Sequence, residues 1–290
     1  MEEQEGIIFN VLEWLWDSIV DPVLCKLGYT EKFSKGSTWP RVWWCPTGIA
    51  SFLPLHAAGY HNESRERGRT VMDRVVSSYT STLRTLKYSR ERSSLSSDYR
   101  ALITTATASK FEILPMAEHE AYRVKDILRK SRFVVDILDN AQTGDLCEKI
   151  PYQTIVHCIC HAVSEPDPSS SGLLLKEGNL TVAKISQLKI KAGALAYLSA
   201  CSTSVGQVGV LEDECITISN AFQIAGFAGV VGSLWKADDG TSFDLAGAFY
   251  ERLQNDTANA ANALHQSVLD LRETHPHEPS RWASYLYTGA

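Results

Sequence analysis

The chain has 290 residues, 44 % of them hydrophobic and 21 % charged, with a formal net charge of -6. That apolar content supports a packed core and excludes wholesale disorder, while the negative balance excludes the basic footprint of a nucleic-acid binder and offers no attraction to an anionic membrane. Seven cysteines, an odd number spread over the whole chain, fit no disulfide framework, so free thiols in a reducing, cytoplasmic setting are expected.

The N-terminus opens Met1-Glu2-Glu3-Gln4-Glu5, the opposite of the basic start of a signal peptide. Between residues 7 and 27, Ile8, Leu12, Leu15, Trp16, Ile19, Val20, Val23 and Leu24 recur at helical spacing. They predict an amphipathic helix or helix pair whose second part begins at Pro22. Residues 1–38 are therefore expected to form a helical segment that packs on a module running from 39 to 290. Arg41 to Gly48 and Ile49 to Leu55 read as two short strands around a Pro-Thr-Gly turn, with Trp43 and Trp44 as core residues.

From His61 to Arg100 there are nine Lys or Arg against five Asp or Glu, and Ser89 to Ser97 reads as an exposed loop. A solvated face is the plain reading of this segment, and a partner-docking face is the alternative. A β, α, β alternation follows: strand at 101–105, helix at 116–129, strand at 133–138, short helix at 143–150, strand at 154–161. Glu165 to Ser171 is a Pro- and Ser-bearing loop, and a small hairpin around Lys176 to Asn179 and a short helix at 182–188 lead to a strand at 194–201. Helix 213–225, strand 227–235 and helices 242–253 and 259–272 complete the pattern. Such alternation implies an α/β fold with a mostly parallel sheet and helices on both faces. The longest near-apolar stretch, Ile224 to Trp235, is shorter than the roughly 18 residues that a membrane helix needs.

The residues suited to chemistry sit at the ends of two apolar runs, Thr154 to His161 and Ala194 to Cys201. In an open parallel sheet, ligands bind outside the carboxyl ends of the strands, so His161 and Cys201 can meet there although they are distant in sequence. A cysteine attacks as thiolate, and a neighbouring imidazole takes its proton. The small residues of Ser199-Ala200-Cys201-Ser202-Thr203-Ser204 leave the sulfur accessible and let backbone N–H groups approach a substrate carbonyl. His157-Cys158-Ile159-Cys160-His161 holds four metal-competent side chains, but a strand turns the two histidines to one face and the two cysteines to the other, which argues against zinc. Cys158 and Cys160 read as core thiols, and His157, inside the strand, as a satisfied core group.

These residues, with Trp39-Pro40-Arg41-Val42-Trp43-Trp44-Cys45-Pro46-Thr47-Gly48, Leu53-Pro54-Leu55-His56-Ala57-Ala58-Gly59, Ala221-Phe222-Gln223-Ile224-Ala225-Gly226-Phe227 and Gly232-Ser233-Leu234-Trp235 ahead of Asp238-Asp239, occur in the order seen in one family. The chain resembles a CHAT domain of the fungal type, the caspase-like module that also follows tetratricopeptide repeats in signalling proteins. The resemblance implies a caspase-like three-layer sandwich, shared with separases and gingipains, that hydrolyses peptide bonds with a His/Cys dyad. It makes His161 the general base and Cys201 the nucleophile, with the backbone N–H groups of Ala162 and Cys201 as the oxyanion hole. The 40 residues between them lie near the separation of about 50 in the caspase signature. One departure stands out: the family's histidine is usually followed by glycine, here Ala162, which keeps the N–H but disfavours φ > 0.

Between Arg132 and Arg252 there is no arginine, whereas Glu165, Asp167, Glu212, Asp213, Glu214, Asp238 and Asp239 lie in or beside the expected crevice loops. An acidic pocket favours Arg or Lys at P1, and Asp213 and Asp238 are the candidate pocket acids, each with helix capping as the competing role. No phosphate-binding glycine pattern is present, and no cofactor or metal is implied. The expected partners are a protein or peptide substrate and a regulatory protein or tetratricopeptide-type domain, with neither nucleic acid nor membrane. A reading of a different class is a catalytically silent interaction module that docks through the 7–27 helix and the basic 61–100 segment.

Overall fold

A computed structural model of the chain describes residues 2–33, 39–61, 68–92, 99–106, 114–163, 165–202, 214–253 and 256–290, with Glu2, 200–202 and 214–217 described by backbone alone. Its strands are β1 Arg41–Trp44, β2 Val76–Tyr79, β3 Arg100–Thr105, β4 Val134–Leu138, β5 Ile155–Val163, β6 Gly172–Leu174, β7 Asn179–Thr181, β8 Leu195–Ser202, β9 Gly229–Ser233 and β10 Tyr285–Gly289. They form a sheet of order β1-β2-β10-β9-β8-β5-β3-β4, with the β6/β7 hairpin attached to the end of β5. From β9 to β4 all neighbours are parallel. The β9/β10 pair is antiparallel, so β10, β2 and β1, parallel among themselves, run against the rest. Tyr287 lies close over Gly229 of this pair: a Cβ on Gly229 would lie 2.1 Å from Tyr287 Oη, so a larger residue there would have to displace the tyrosine ring.

The helices are α1 Glu2–Leu15, α2 Asp21–Leu27, α3 Leu83–Arg92, α4 Ala117–Lys130, α5 Thr143–Lys149, α6 Val182–Gln187, α7 Glu214–Ala225, α8 Asp239–Leu253, α9 Ala260–Thr274 and α10 Pro279–Trp282. Strand alternation divides the core into two layers. Ile155, Ile159, Leu195 and Tyr197 pack with Leu12 of α1, Val124 of α4, Phe249 of α8 and Leu264 of α9. Val156, Cys158, Cys160, Ala196 and Leu198 pack on the opposite face with Leu146 of α5, Ile185 of α6 and Phe222 of α7. The α/β sandwich with a mostly parallel sheet and helices on both faces is therefore the fold. The two cysteines of β5 do face away from its histidines, and burial pushes the Cys158 thiol up to about 12.

The 7–27 stripe forms α1 and α2 joined by a π-helical turn at 16–20, with Pro22 in the first turn of α2 and Gly28, at φ 84°, ending it. Leu12, Leu15, Trp16, Val20 and Leu24 are buried, and the pair is pinned by Gly59 N–H to Leu12 O (3.0 Å) and by Arg74 Nη1 to Asp21 Oδ1 (2.8 Å). Three expectations need correction. Residues 49–55 make no strand: after Gly48 (φ 58°) the chain forms a 3-10 turn to Phe52, closed by Ser51 Oγ donating to Pro46 O, and β1 pairs instead with β2. Ser89 is not in an exposed loop but is buried in α3, where Gln223 Nε2 donates to its Oγ (3.3 Å); residues 93–97 lie outside the described residues. β2 and β10 were not expected as strands.

Candidate active site

β5 and β8 lie side by side at the centre of the sheet, in register from Ile155↔Leu195 to Ala162↔Ser202. At one level of this ladder His161 is the partner of Cys201, one residue before the end of β8 and two before the end of β5. Neighbouring strands are about 4.8 Å apart, so the backbones of the two residues, distant in the chain, stand next to each other at the carboxyl edge. His161 is 1 % exposed. Ala162 is buried in the strand, between β8 and the hairpin strand β6. The non-glycine residues at positive φ among the described residues are Arg132 and Asn140. Ala162 is therefore in ordinary extended conformation, and the missing glycine introduces no strain.

The same edge receives the starts of α4 and α8. Asp238 caps α8: Thr241 N–H and Thr241 Oγ each reach its Oδ1 at 2.9 Å, and Arg281 Nη1 of α10 does so at 3.1 Å. Burial pushes this carboxyl up, but the Thr241 donors and Arg281 outweigh it and hold it below the usual range. Arg281 is itself gripped by Glu278 Oε2 at 2.7 Å. An arginine from outside the arginine-free stretch thus already occupies Asp238. Asp213 lies outside the described residues. Asp239, one residue on, accepts Met116 N–H at 2.7 Å, joining the start of α8 to that of α4. Burial, foremost, raises its carboxyl, the Met116 bond opposes this, and Glu120 and Asp238 add repulsion, while His161 lies within electrostatic reach. In the 165–171 loop, Asp167 is tied up locally by Ser169 and Ser170.

Below the level of His161 and Cys201 is a polar layer. His157 pairs in register with Tyr197, and the two rings stack with centroids 4.7 Å apart at 16°. Glu120 Oε1 of α4 is 2.9 Å from His157 Nε2, and Tyr250 Oη of α8 is 3.0 Å from Nδ1. All four residues are at most 2 % exposed. Glu120 escaped the sequence reading, although a carboxylate inside the Ala117, Ala121, Val124, Leu128 stripe of α4 was a visible signal.

With this geometry in place, the family model of the CHAT domain matches residues 10–290. The chain belongs to the CHAT domain family. No curated protein sequence matches it significantly. Among solved structures, this CHAT domain is similar to the Arg-specific cysteine proteinase gingipain R (TM-score 0.58, 10 % identity, covering 100 % of this chain and 75 % of that one). It is similar to the complex of Porphyromonas gingivalis RgpB pro- and mature domains (0.59, 11 %, 99 % and 76 %) and to a chain of the Saccharomyces cerevisiae separase–securin complex (0.55, 12 %, 83 % and 14 %). At these identities the likeness establishes the fold, that of caspase-like cysteine peptidases. Among the described residues, no helix is long and apolar enough to cross a membrane.

Proposed function

We propose that this CHAT domain is a cysteine endopeptidase with His161 as general base and Cys201 as nucleophile. The observation that carries the reading is the register of β5 and β8, which sets the two residues side by side at the carboxyl edge of a caspase-like sheet. Partners at one level of a parallel ladder lie on the same side of the pleat. His161 takes the thiol proton, the thiolate attacks the scissile carbonyl, and the imidazolium returns the proton to the leaving amine. Water then hydrolyses the acyl-enzyme with His161 again as base. The backbone N–H groups of Ala162 and Cys201 are the proposed donors to the oxyanion.

A basic P1 preference is proposed on the absence of arginine between Arg132 and Arg252 and the carboxylates of the same stretch. Asp238 is already taken by Arg281 and Thr241, so the preference is assigned to Asp213. Control by a protein partner, including a tetratricopeptide-type domain, in a signalling pathway completes the proposal; two structural relatives are complexes, with a pro-domain and with securin. The test is cleavage of fluorogenic peptides with Arg, Lys or Asp at P1 by the wild type and by Cys201→Ala. Cysteine-dependent cleavage after Arg or Lys supports the reading. Absence of cleavage of all three, or cleavage that survives in Cys201→Ala, contradicts it and favours a silent interaction module.

A further inference from the structure

His157 has no part in the proposed chemistry, yet it is held more firmly than packing alone requires. It is fully buried, both ring nitrogens are engaged by different helices, and its ring lies flat on Tyr197. Position in the strands gives this arrangement a role. His157 precedes His161 by four residues and Tyr197 precedes Cys201 by four, so the stacked pair is the same-face level two pleats inside the dyad level. Both catalytic strands are thus clamped together directly beneath the residues proposed to react.

We infer that Glu120, His157 and Tyr250 form a positioning group for the His161/Cys201 pair, an inference that rests on the peptidase reading above. Glu120 fixes β5 to α4, and Tyr250 fixes β5 to α8. The same two helices meet again at the crevice, where Met116 N–H donates to Asp239, the carboxylate within electrostatic reach of His161. The three contacts close a ring through β5, α4 and α8 around the site. A ring anchored at two heights restricts both the spacing of the strands and the tilt of α8.

The arrangement is poorly explained as a source of stability. Among the described residues, one carboxylate oxygen of Glu120 and the Tyr197 hydroxyl have no hydrogen-bond partner, and both are fully buried. Well-packed apolar side chains of similar volume commonly match or exceed the stability of such a group, whereas polar partners with fixed geometry hold one arrangement. Misplacement of a reacting group by about 1 Å lowers a rate by up to about 100-fold, which makes such restriction consequential.

The test is site-resolved alkylation of the full chain by iodoacetamide at pH 6. Cys25 and Cys45 are exposed and serve as ordinary reference thiols, while buried Cys158 and Cys160 report any loss of fold. Among the described residues, the charged and titratable groups facing the layer or within electrostatic reach of it include Glu120 from α4, Tyr250 and Asp239 from α8, Tyr197 from β8, Tyr285 from β10, and His161 and Cys158 from β5 itself. In the wild type, Cys201 is expected to react at least tenfold faster than the references, an excess lost in His161→Ala. Tyr250→Phe, which keeps the ring and removes one contact, is expected to lower that excess about threefold, and Glu120→Gln about tenfold, with Cys25, Cys45, Cys158 and Cys160 unchanged. A purely structural role would instead expose Cys158 and Cys160. An excess retained within twofold in both variants overturns the inference while leaving the dyad intact. A wild type without any excess at Cys201 overturns the dyad and the positioning group together.

Discussion

His161 and Cys201 are register partners on neighbouring parallel strands, two residues before the end of β5 and one before the end of β8. The connection between them contains the β6/β7 hairpin and α6, which lies on the face of the cysteine thiols of β5, away from α4 and α8. The site is therefore assembled by strands from below and by the starts of α4 and α8 beside it.

Ala162→Gly tests whether the family's glycine is needed here. Because Ala162 is extended and sits in the ladder, there is no strain for glycine to relieve. Labelling of Cys201 by a peptide electrophile should stay within about twofold of wild type, with stability lower by about 0.5–1 kcal/mol, the usual effect of glycine in a strand. A tenfold gain in labelling would show that Ala162 does hold the site back.

Asp238 should behave as a cap and as the partner of Arg281. Asp238→Ala is expected to lower unfolding free energy by about 1 kcal/mol and to leave the choice between Arg and Asp at P1 unchanged. Collapse of that choice with unaltered stability would return Asp238 to the specificity pocket.

Much of this architecture is legible in the sequence because its central strands are self-contained signals. The runs ending at His161 and Cys201 are apolar, short and bounded by turn residues, and their parallel order follows from the helices between them. The peripheral strands are different. β2 has four residues in a basic segment, and β10 reverses direction beside β9, so each is defined by pairing partners far away in the chain. α3 hid behind its serine and arginine content, since the contact that buries Ser89 comes from Gln223. For the site, strand ends mark His161 and Cys201, whereas the grip of Arg281 on Asp238 and of Glu120 on His157 joins elements whose separation no local pattern encodes.

The Glu120–His157 pair should show strong non-additivity. Glu120→Met leaves a buried imidazole without its carboxylate and is expected to destabilise by roughly 3 kcal/mol or more. Glu120→Met combined with His157→Phe should lose less than Glu120→Met alone, since both polar partners are then gone. Urea unfolding of the two single variants and the double variant decides the matter, and additive losses would show that the pair is not an energetic unit.

A second buried pair predicts acid sensitivity. His56 and His265 line a cavity of about 30 Å³ between β2, β10 and α9. Burial pushes His56 down to about 4, and burial together with Arg272 pushes His265 down to about 3. In the unfolded chain both protonate near pH 6.5, so below that pH the unfolded state binds more protons. Their contribution is complete above pH 6.5 and is lost as pH falls to about 4 for His56 and about 3 for His265. The slope reaches at most about 2.7 kcal/mol per pH unit for the two together. His265→Leu should roughly halve the slope of unfolding free energy between pH 6 and 4.5; an unchanged slope would contradict the assignment.

Intact-mass labelling with an acyloxymethyl ketone peptide carrying Arg at P1, with an Asp-P1 probe alongside, tests the proposed roles of His161 and Cys201. One adduct per chain is expected on the wild type, faster with Arg than with Asp, and none on Cys201→Ala or His161→Ala. Failure of both probes to label the wild type, or an adduct that persists without Cys201, would contradict those roles.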